Sequence, residues 1–282
     1  TAFVEQYSAN IQMLSQQMGS LLRDAVRNES VVGKDAYFDQ IGKVTAQLKV
    51  SRHSDTPQID TPHSRRRVSL ADYEFADLID QQDKVRLLID PTSSYAKAAA
   101  YAMGRAMDDV IIAAALGSAN TGVSGGTAVA LPAGNITAVG TGGANTMNIA
   151  KLALAKAKLD LGDVDPSITR HIIVSPTEIQ DLLNTTTITS SDFNTVKALV
   201  QGEIDSFMGF KFHVSNRLVD NGAANTQCIA FAEDGILLGV GKDVTARIDE
   251  RSDKSYATQV YYCQTIGATR MEEAKVVSVL AN

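Results

Sequence analysis

The sequence predicts a fold of mixed helices and strands, in which the two kinds of pattern follow one another along the chain. Residues 92–116 are rich in alanine at helical spacing and are followed by Gly117, a typical helix stop. From Phe207 onward, apolar alternation of period two indicates strands. The first ninety residues hold few apolar side chains, so we expect them to gain their order from sister molecules and not from their own chain.

Composition and charge restrict the kinds of function that this chain can have. Of its 282 residues, 44% are hydrophobic, which is enough for a sizeable core. The net charge of −6 argues against a protein that grips nucleic acid, since such a protein needs a basic surface. The same charge is compatible with enclosing nucleic acid, because an acidic lining repels DNA and lets it move.

Neither export nor membrane insertion is expected from the sequence. It contains no basic start followed by an apolar signal segment, and no run of about 18 apolar residues. Its two cysteines, Cys228 and Cys263, lie far apart and have no histidines at zinc-site spacing beside them. We expect two half-buried free thiols in a reducing cytoplasm.

Residues 1–44 are interpreted as a polar, mostly helical arm. The apolar side chains of this segment are sparse and fall near helical spacing. They are Met13, Leu14, Met18, Leu21 and Leu22. Gly33 and Gly42 interrupt the pattern, and so thin an apolar face has little to bury within the arm. We therefore expect the arm to rest on a neighbouring molecule.

Residues 45–90 are predicted to form an extended loop of two long strands joined by a polar tip. Strand-like alternation is found in Ala46, Leu48 and Val50, and again in Val68, Leu70, Tyr73 and Phe75. Between these runs, residues 51–64 are polar and contain two prolines, which is typical of an exposed tip. The whole segment is too poor in apolar residues to pack as a domain.

Charge is distributed unevenly within this loop. The strongest basic run is Arg65, Arg66 and Arg67, whereas residues 71–90 hold six acidic side chains and two basic ones. One hypothesis is a contact between copies, in which the basic run of one loop meets the acidic half of another. Its residues are Arg65, Arg66, Arg67, Asp72, Glu74 and Asp77. The alternative is a solvated basic turn, since exposed ion pairs contribute only about 0–1 kcal/mol each.

The middle of the chain alternates between loops, helices and a buried strand. Residues 118–146 are rich in glycine, alanine and threonine, which is typical of a loop with short strands. Helices are predicted over 147–161, ending at Gly162, and over 194–203. A buried strand, 171–174, leads into a capping box at Ser175 that opens a helix to about residue 183.

The last third is predicted to be mainly strands. The alternating and apolar runs are 210–214, 228–232, 236–240, 244–248, 260–266 and 276–280. Glu233, Asp234 and Gly235 separate two of these runs and predict a hairpin between them.

No motif in the sequence carries recognisable catalytic, cofactor or metal chemistry. Gly140–Gly143 precedes a helix but matches neither the dinucleotide nor the P-loop spacing. The four histidines, His53, His63, His171 and His213, form no helical metal clamp. Asp108 and Asp109 point about 100° apart on a helix, so a solvated face or one buried capping contact is expected instead of a catalytic pair. We expect no catalytic, cofactor-binding or metal-binding residues.

Three stretches resemble major capsid proteins of tailed bacteriophages. The first runs from Ala76-Asp77-Leu78-Ile79-Asp80 through Asp90-Pro91 into Ala102-Met103-Gly104-Arg105-Ala106-Met107-Asp108-Asp109 and ends at Gly117. The second lies in residues 199–218 and includes Phe207-Met208-Gly209-Phe210 and Val214-Ser215-Asn216-Arg217. The third includes Gly235-Ile236-Leu237-Leu238, Val244, Glu250-Arg251 and Gly267-Ala268. In order and spacing, the likeness covers most of the chain.

The resemblance implies an α+β coat fold, which encapsulins and the herpesvirus capsid floor share. It implies an N-terminal arm (1–44), an extended β-hairpin loop (45–90), a peripheral domain with a long spine helix (91–117 and 241–282) and an axial domain (118–240). It also implies hexamers and pentamers in an icosahedral shell around double-stranded DNA, in the virion, after assembly in the host cytoplasm. The lysine and asparagine that crosslink in some members are not matched here, so no covalent crosslink is expected.

Other proteins are expected to take part in the assembly, and two other functions are alternatives. Because the chain starts at Thr1, without a long charged leader, a separate scaffolding protein is expected, together with a portal. DNA would be enclosed without sequence readout. One alternative is an encapsulin-like compartment that holds cargo enzymes. The other, from a different class, is a soluble nucleotide- or sugar-binding enzyme that uses the turn at Gly140–Gly143.

Overall fold

In the computed structural model, the described part of the protein forms three β-sheets and three α-helices. The structure describes residues 15–53, 55, 56, 58–80, 92–143, 145–184, 206–220 and 225–282. The helices are α1 (Thr92–Leu116), α2 (Ile149–Leu161) and α3 (Pro176–Asn184). The strands are β1 (Arg27–Ser30), β2 (Asp35–Ile41), β3 (His63–Ser69), β4 (Ala71–Ile79), β5 (Ala119–Thr121), β6 (Thr127–Val129), β7 (Ile136–Thr137), β8 (Arg170–Val174), β9 (Ser206–Phe207), β10 (Phe210–Val214), β11 (Thr226–Ala232), β12 (Ile236–Arg251), β13 (Ala257–Arg270) and β14 (Val276–Ala281).

The strands form three sheets, which we call the long, central and hairpin sheets. The long sheet has the order β1-β12-β13-β4, and the central sheet has the order β7-β14-β11-β8-β10-β9. The hairpin sheet has the order β2-β3-β5-β6. No helix in the described part of the chain is long and apolar enough to cross a membrane.

The spine helix α1 packs along the long sheet, as its alanine-rich pattern predicts. Met107 and Ile111 are buried against the sheet, and Gln264 of β13 donates a hydrogen bond to the Met103 carbonyl at 3.0 Å. The helix ends at Gly117, whose N–H donates to the Ala113 carbonyl at 2.8 Å. The predicted bounds of this helix are confirmed.

A buried arginine fixes the carboxyl end of the spine helix. The fully buried Arg270 guanidinium donates to the carbonyls of Ala115 at 2.9 Å, Gly117 at 2.7 Å and Val129 at 3.0 Å. Burial lowers the pKa of Arg270 from its ordinary value. A cation at this end also complements the negative end of the helix dipole.

A hydrophobic core lies between the central sheet and helices α2 and α3, in addition to the one beneath the spine helix. All five residues of β8 are buried, as expected for an inner strand covered on both faces. Asn148 caps α2 by accepting a hydrogen bond from Lys151 N at 2.8 Å, and Gly162 ends the helix. Ser175 precedes α3 and bonds to the Glu178 carboxylate. The predictions for both helices and for the buried strand are confirmed.

Three local predictions are wrong. Residues 15–44 are not mostly helical: they hold a short 3-10 turn, Arg23–Ala25, followed by β1 and β2. Residues 45–50 are in no strand, because β3 pairs with β2 and leaves 42–62 as the connection. Glu233–Gly235 is not a hairpin turn: β11 and β12 belong to different sheets, and this turn carries the chain from the central sheet to the long sheet.

The dependence of the first ninety residues on sister molecules is also smaller than expected. β4 pairs with β13 of the same chain over Ala71–Ile79, and β1 pairs with β12. Leu22 and Val68 are fully buried in their own molecule. The expectation is therefore wrong for β1 to β4. Met13, Leu14 and the predicted helix 194–203 lie outside the described residues.

Candidate assembly surfaces

The described residues of the connection between β2 and β3 are almost all exposed. We call residues 35–69 the extended hairpin and residues 42–62 its tip. The base of the tip is closed by a hydrogen bond from Gly42 N to the Pro62 carbonyl at 2.8 Å. Beyond that bond, Leu48 and Val50 are 90% and 89% exposed, although apolar side chains gain free energy when they are buried. The tip therefore presents apolar surface that its own body does not cover.

The three predicted interface arginines lie on the extended hairpin, and two of them, Arg65 and Arg67, face acidic groups of the same hairpin. Arg65 Nε is 2.5 Å from Asp39 Oδ1, and its guanidinium lies 5.8 Å from the centre of the Tyr37 ring. The hydrogen bond from Arg65 holds the pKa of Asp39 below its ordinary value. Arg67 Nε is 4.0 Å from Asp35 Oδ1. Both arginines are half-buried.

Arg66 fixes the hairpin to the body of the molecule. It is only 7% exposed, and its Nε donates to the Met271 carbonyl at 2.9 Å. Its terminal nitrogen donates to both carboxylate oxygens of Glu273, at 2.7 and 2.6 Å. Such a pair is costly to break, because the remaining charge would stay buried without a partner. Sequence reasoning gave no sign of this pairing within the chain.

The three predicted interface acids lie along β4. Asp72 accepts a hydrogen bond from Thr265 at 2.6 Å, and Glu74 accepts one from Tyr261 at 3.2 Å. Asp77 accepts from the backbone N–H of Leu78 at 2.8 Å. All three partners are neutral. Asp72 and Glu74 lie on one face of β4 and Asp77 lies on the other, because successive side chains of a regular strand alternate. The structure does not bring these acids next to the three arginines.

A glycine allows the extended hairpin to cross the long sheet. A Cβ atom on Gly267 of β13 would lie 2.2 Å from the Ser69 carbonyl oxygen and 3.3 Å from Leu70 Cα. These atoms belong to the backbone that joins β3 to β4, so they cannot rotate away. The crossing therefore requires glycine at position 267.

A second close approach fixes the arm on the spine helix. A Cβ atom on Gly104 would lie 2.4 Å from the Gly19 carbonyl carbon, so the arm crosses the helix at this turn. One turn further, the fully buried Asp108 carboxylate accepts hydrogen bonds from Ser20 Oγ at 2.5 Å and from Leu21 N at 3.1 Å. Further donors to this carboxylate are Gln17 Nε2 and Leu22 N. Gly104 and Asp108, one turn apart on the spine helix, thus form a single docking site for the arm.

Asp109 has a different role from its neighbour. Its carboxylate forms a two-point ion pair with the Arg217 guanidinium, and both side chains are partly exposed. This hydrogen bond raises the pKa of Arg217. The sequence-based expectation that the two adjacent acids are not a catalytic pair agrees with these separate contacts.

Two histidines that are far apart in sequence meet across the parallel strands β8 and β10. His171 Nδ1 lies 2.9 Å from His213 Nε2, and the His171 ring stacks on Phe231 with centroids 5.6 Å apart. Burial, together with the nearby charges of His213 and Lys211, lowers the pKa of His171 to about 4. One of the two bonded nitrogens must accept the hydrogen bond, so the pair is incompatible with full protonation.

The histidine pair predicts a loss of stability in acid. The unfolded state takes up a proton on His171 near pH 6.5, whereas the folded state does so only near pH 4. The contribution of His171 to stability is therefore complete above pH 6.5 and decreases as the pH falls toward 4. Urea unfolding from pH 7.5 to 4.5 should show a shallower pH dependence in His171→Gln than in the wild type. The exposed His63→Gln is the control, and identical pH profiles for His171→Gln and wild type would contradict this prediction.

The remaining candidate residues from the sequence form no site in the described residues. Cys228 is fully buried and Cys263 is half-buried, and both are free thiols. Burial raises the pKa of the Cys228 thiol. His53 and His63 are exposed, and no described group of three metal-ligating side chains is present. The Gly140–Gly143 turn packs on the start of α2, where Asn148 Nδ2 donates to the Thr141 carbonyl at 3.0 Å.

The chain is similar in structure to several solved phage capsid structures. The capsid of Ralstonia phage GP4 matches with a TM-score of 0.78 and 10% identity, over 99% of this chain and 94% of that one. The cyanophage P-SCSP1u capsid matches with a TM-score of 0.74 and 15% identity, over 99% and 93%. A structure from Mycobacterium phage Che8 matches with a TM-score of 0.72 and 17% identity, over 98% and 96%. A search of curated proteins finds no match.

The fold is therefore that of a phage capsid subunit, and the α+β capsid fold predicted from the sequence is confirmed. The family model described as phage capsid protein matches residues 1–282. The chain belongs to this family and is a structural protein, not an enzyme. This membership excludes the alternative of a nucleotide-binding enzyme.

Proposed function

We propose that this chain is the major capsid protein whose hexamers and pentamers build an icosahedral shell around double-stranded DNA. The observation that carries the proposal is the exposed apolar tip of the extended hairpin, residues 42–62, on a member of the capsid family. A tip of this kind is stabilised when a neighbouring copy covers it, and repeated contacts between identical subunits generate closed rings.

The division into peripheral and axial domains belongs to the same proposal. The peripheral domain would comprise residues 91–117 and 241–282, and the axial domain residues 118–240. The spine helix packing on β13 and the core of the central sheet support two packing units. Strand β14, in the C-terminal part, pairs with β11 and β7 and so contributes to the sheet of the axial domain.

The net charge of −6 supports enclosure of DNA without sequence readout. A separate scaffolding protein and a portal, acting in the host cytoplasm, would complete the assembly. These partners rest on the family expectation and not on any contact in the described residues.

Assembly is tested most directly by imaging the purified protein. We expect negative-stain images and size-exclusion chromatography to show closed megadalton particles with fivefold and sixfold clusters of subunits. Particles from infected cells should contain double-stranded DNA that is protected from nuclease. A compact, small oligomer would contradict the shell, whereas closed particles that hold protein cargo would contradict DNA enclosure alone.

A further inference from the structure

Strand β4 leaves one edge of the long sheet unpaired. Its inner side pairs with β13 from Ala71 to Ile79, and within the described parts of the chain no strand pairs with its outer side. An edge of nine residues exposes a row of backbone N–H and C=O groups that can template another strand. Natural proteins cover or charge such edges, and this one is charged.

The two faces of this edge differ in chemistry. Asp72 and Glu74 are exposed on the face that points away from the spine helix. Tyr73 and Phe75 are half-buried on the opposite face, where Tyr73 packs against the core beneath the helix. No described cation lies within ion-pair distance of Asp72 or Glu74. A strand added here would need one basic or polar face and one apolar face.

Residues 44–50 have this pattern and pair with no strand in the described part of their own chain. Their apolar row consists of Val44, Ala46, Leu48 and Val50, and their polar row consists of Thr45, Gln47 and Lys49. Valine 44, like Leu48 and Val50, is more than half exposed. Residues 43–52 contain Lys43, Lys49 and Arg52 and no acidic residue. Period-two alternation is a strand pattern, and the isolated chain does not use it.

We propose that residues 44–50 of one copy add as a fifth strand to the β4 edge of a neighbouring copy. This inference rests on the proposed shell function and names the residues of one contact within it. Alternation fixes the faces: when the apolar row turns toward Tyr73 and Phe75, Lys49 lies on the face of Asp72 and Glu74. Backbone hydrogen bonds between the two strands would supply affinity. The positive charge of Lys49 opposite Asp72 and Glu74 would favour this pairing over one between the acidic β4 edges of two copies.

The contact is tested by crosslinking in shells assembled from equal amounts of ¹⁴N and ¹⁵N subunits. A carbodiimide joins a lysine amine directly to a carboxylate, and mass spectrometry then reports whether the two peptides carry different isotopes. We expect Lys49 to be linked to Asp72 or Glu74 in mixed-isotope pairs. Lys43 lies 2.6 Å from Asp163 in its own chain, so its same-isotope link is the internal standard.

Intact shells in which Lys49 is linked to other acids, such as Asp249 and Glu250 of β12, would overturn the inference and leave the shell function standing. Links of Lys49 to β4 within one isotope only would overturn it as well. Failure of the wild-type protein to form shells would instead contradict the proposed function itself.

Charge exchange gives a second, independent readout. We expect Lys49→Glu with Arg52→Glu to lower the yield of shells about tenfold, and Asp72→Lys with Glu74→Lys to do the same. Combining all four changes should restore most of the yield. The control is Lys34→Glu, which makes the same substitution as Lys49→Glu at an exposed position near the start of the hairpin and should leave the yield unchanged. A combined variant that assembles no better than either pair would contradict the contact.

Discussion

Asp108→Asn is expected to release the arm from the spine helix and to lower the free energy of unfolding by about 3–5 kcal/mol. The wild-type carboxylate is fully buried and accepts hydrogen bonds from two side chains and from the backbone N–H groups of Leu21 and Leu22. An amide of the same size has one acceptor oxygen, and its NH₂ group would face donors. Urea unfolding of the unassembled subunit measures the loss, and limited proteolysis should show earlier cleavage near residues 15–22.

The neighbouring residue provides the matched control. Asp109→Asn makes the same chemical change on the same turn of the helix, but it affects a partly exposed pair with Arg217. We expect Asp109→Asn to cost less than about 1 kcal/mol, because water screens that pair. If the two variants unfolded at the same urea concentration, the assignment of Asp108 as the docking group of the arm would be wrong.

The contrast between these two acids shows what the sequence can and cannot predict. Helical spacing in residues 92–116 predicts that adjacent side chains diverge, and Gly117 predicts where the helix ends. Neither pattern indicates which acid is buried, because that depends on where residues 17–22 cross the helix. The signal that was available is Gly104, which lies one turn before Asp108 and marks a close approach of backbone.

The arm and hairpin were mispredicted for a related reason. Leu21 and Leu22 fall at helical spacing, but Asp108 holds their backbone N–H groups and so fixes a tight turn instead of a helix. Residues 45–50 alternate like a strand, yet pairing partners are not encoded locally, and β3 pairs with β2. The His171–His213 contact was missed because it depends on the register of two parallel strands.

The acidic and basic runs near the hairpin were predicted to share a surface between copies, and this remains a prediction. Arg66 is bound to Glu273 of its own chain, so its charge already has a partner. The acids Asp72 and Glu74 keep neutral partners only. For this reason the structure favours Lys49 and Arg52 of the tip over the three arginines as the cations that meet the β4 edge.

Gly267→Ala is expected to shift the extended hairpin and to destabilise the subunit by about 3 kcal/mol. The new methyl group would sit 2.2 Å from the Ser69 carbonyl oxygen, which lies in backbone and cannot move without displacing β3 or β4. Because Leu70 is the single residue between these strands, the displacement changes both the direction of the tip and the position of the β4 edge. We therefore expect the yield of shells to fall together with the urea midpoint.

Gly134→Ala is the control for this substitution. A Cβ atom at position 134 meets no heavy atom within 4 Å, so its effect should stay within about 0.5 kcal/mol of the wild type. A Gly267→Ala subunit that unfolds like the wild type would show that the hairpin does not rest on β13 at this point. A subunit that is destabilised but still assembles normally would show that shell formation tolerates a displaced hairpin. The crossing at Gly267 would then serve the stability of the subunit alone, and its contribution to assembly through the β4 edge would be refuted.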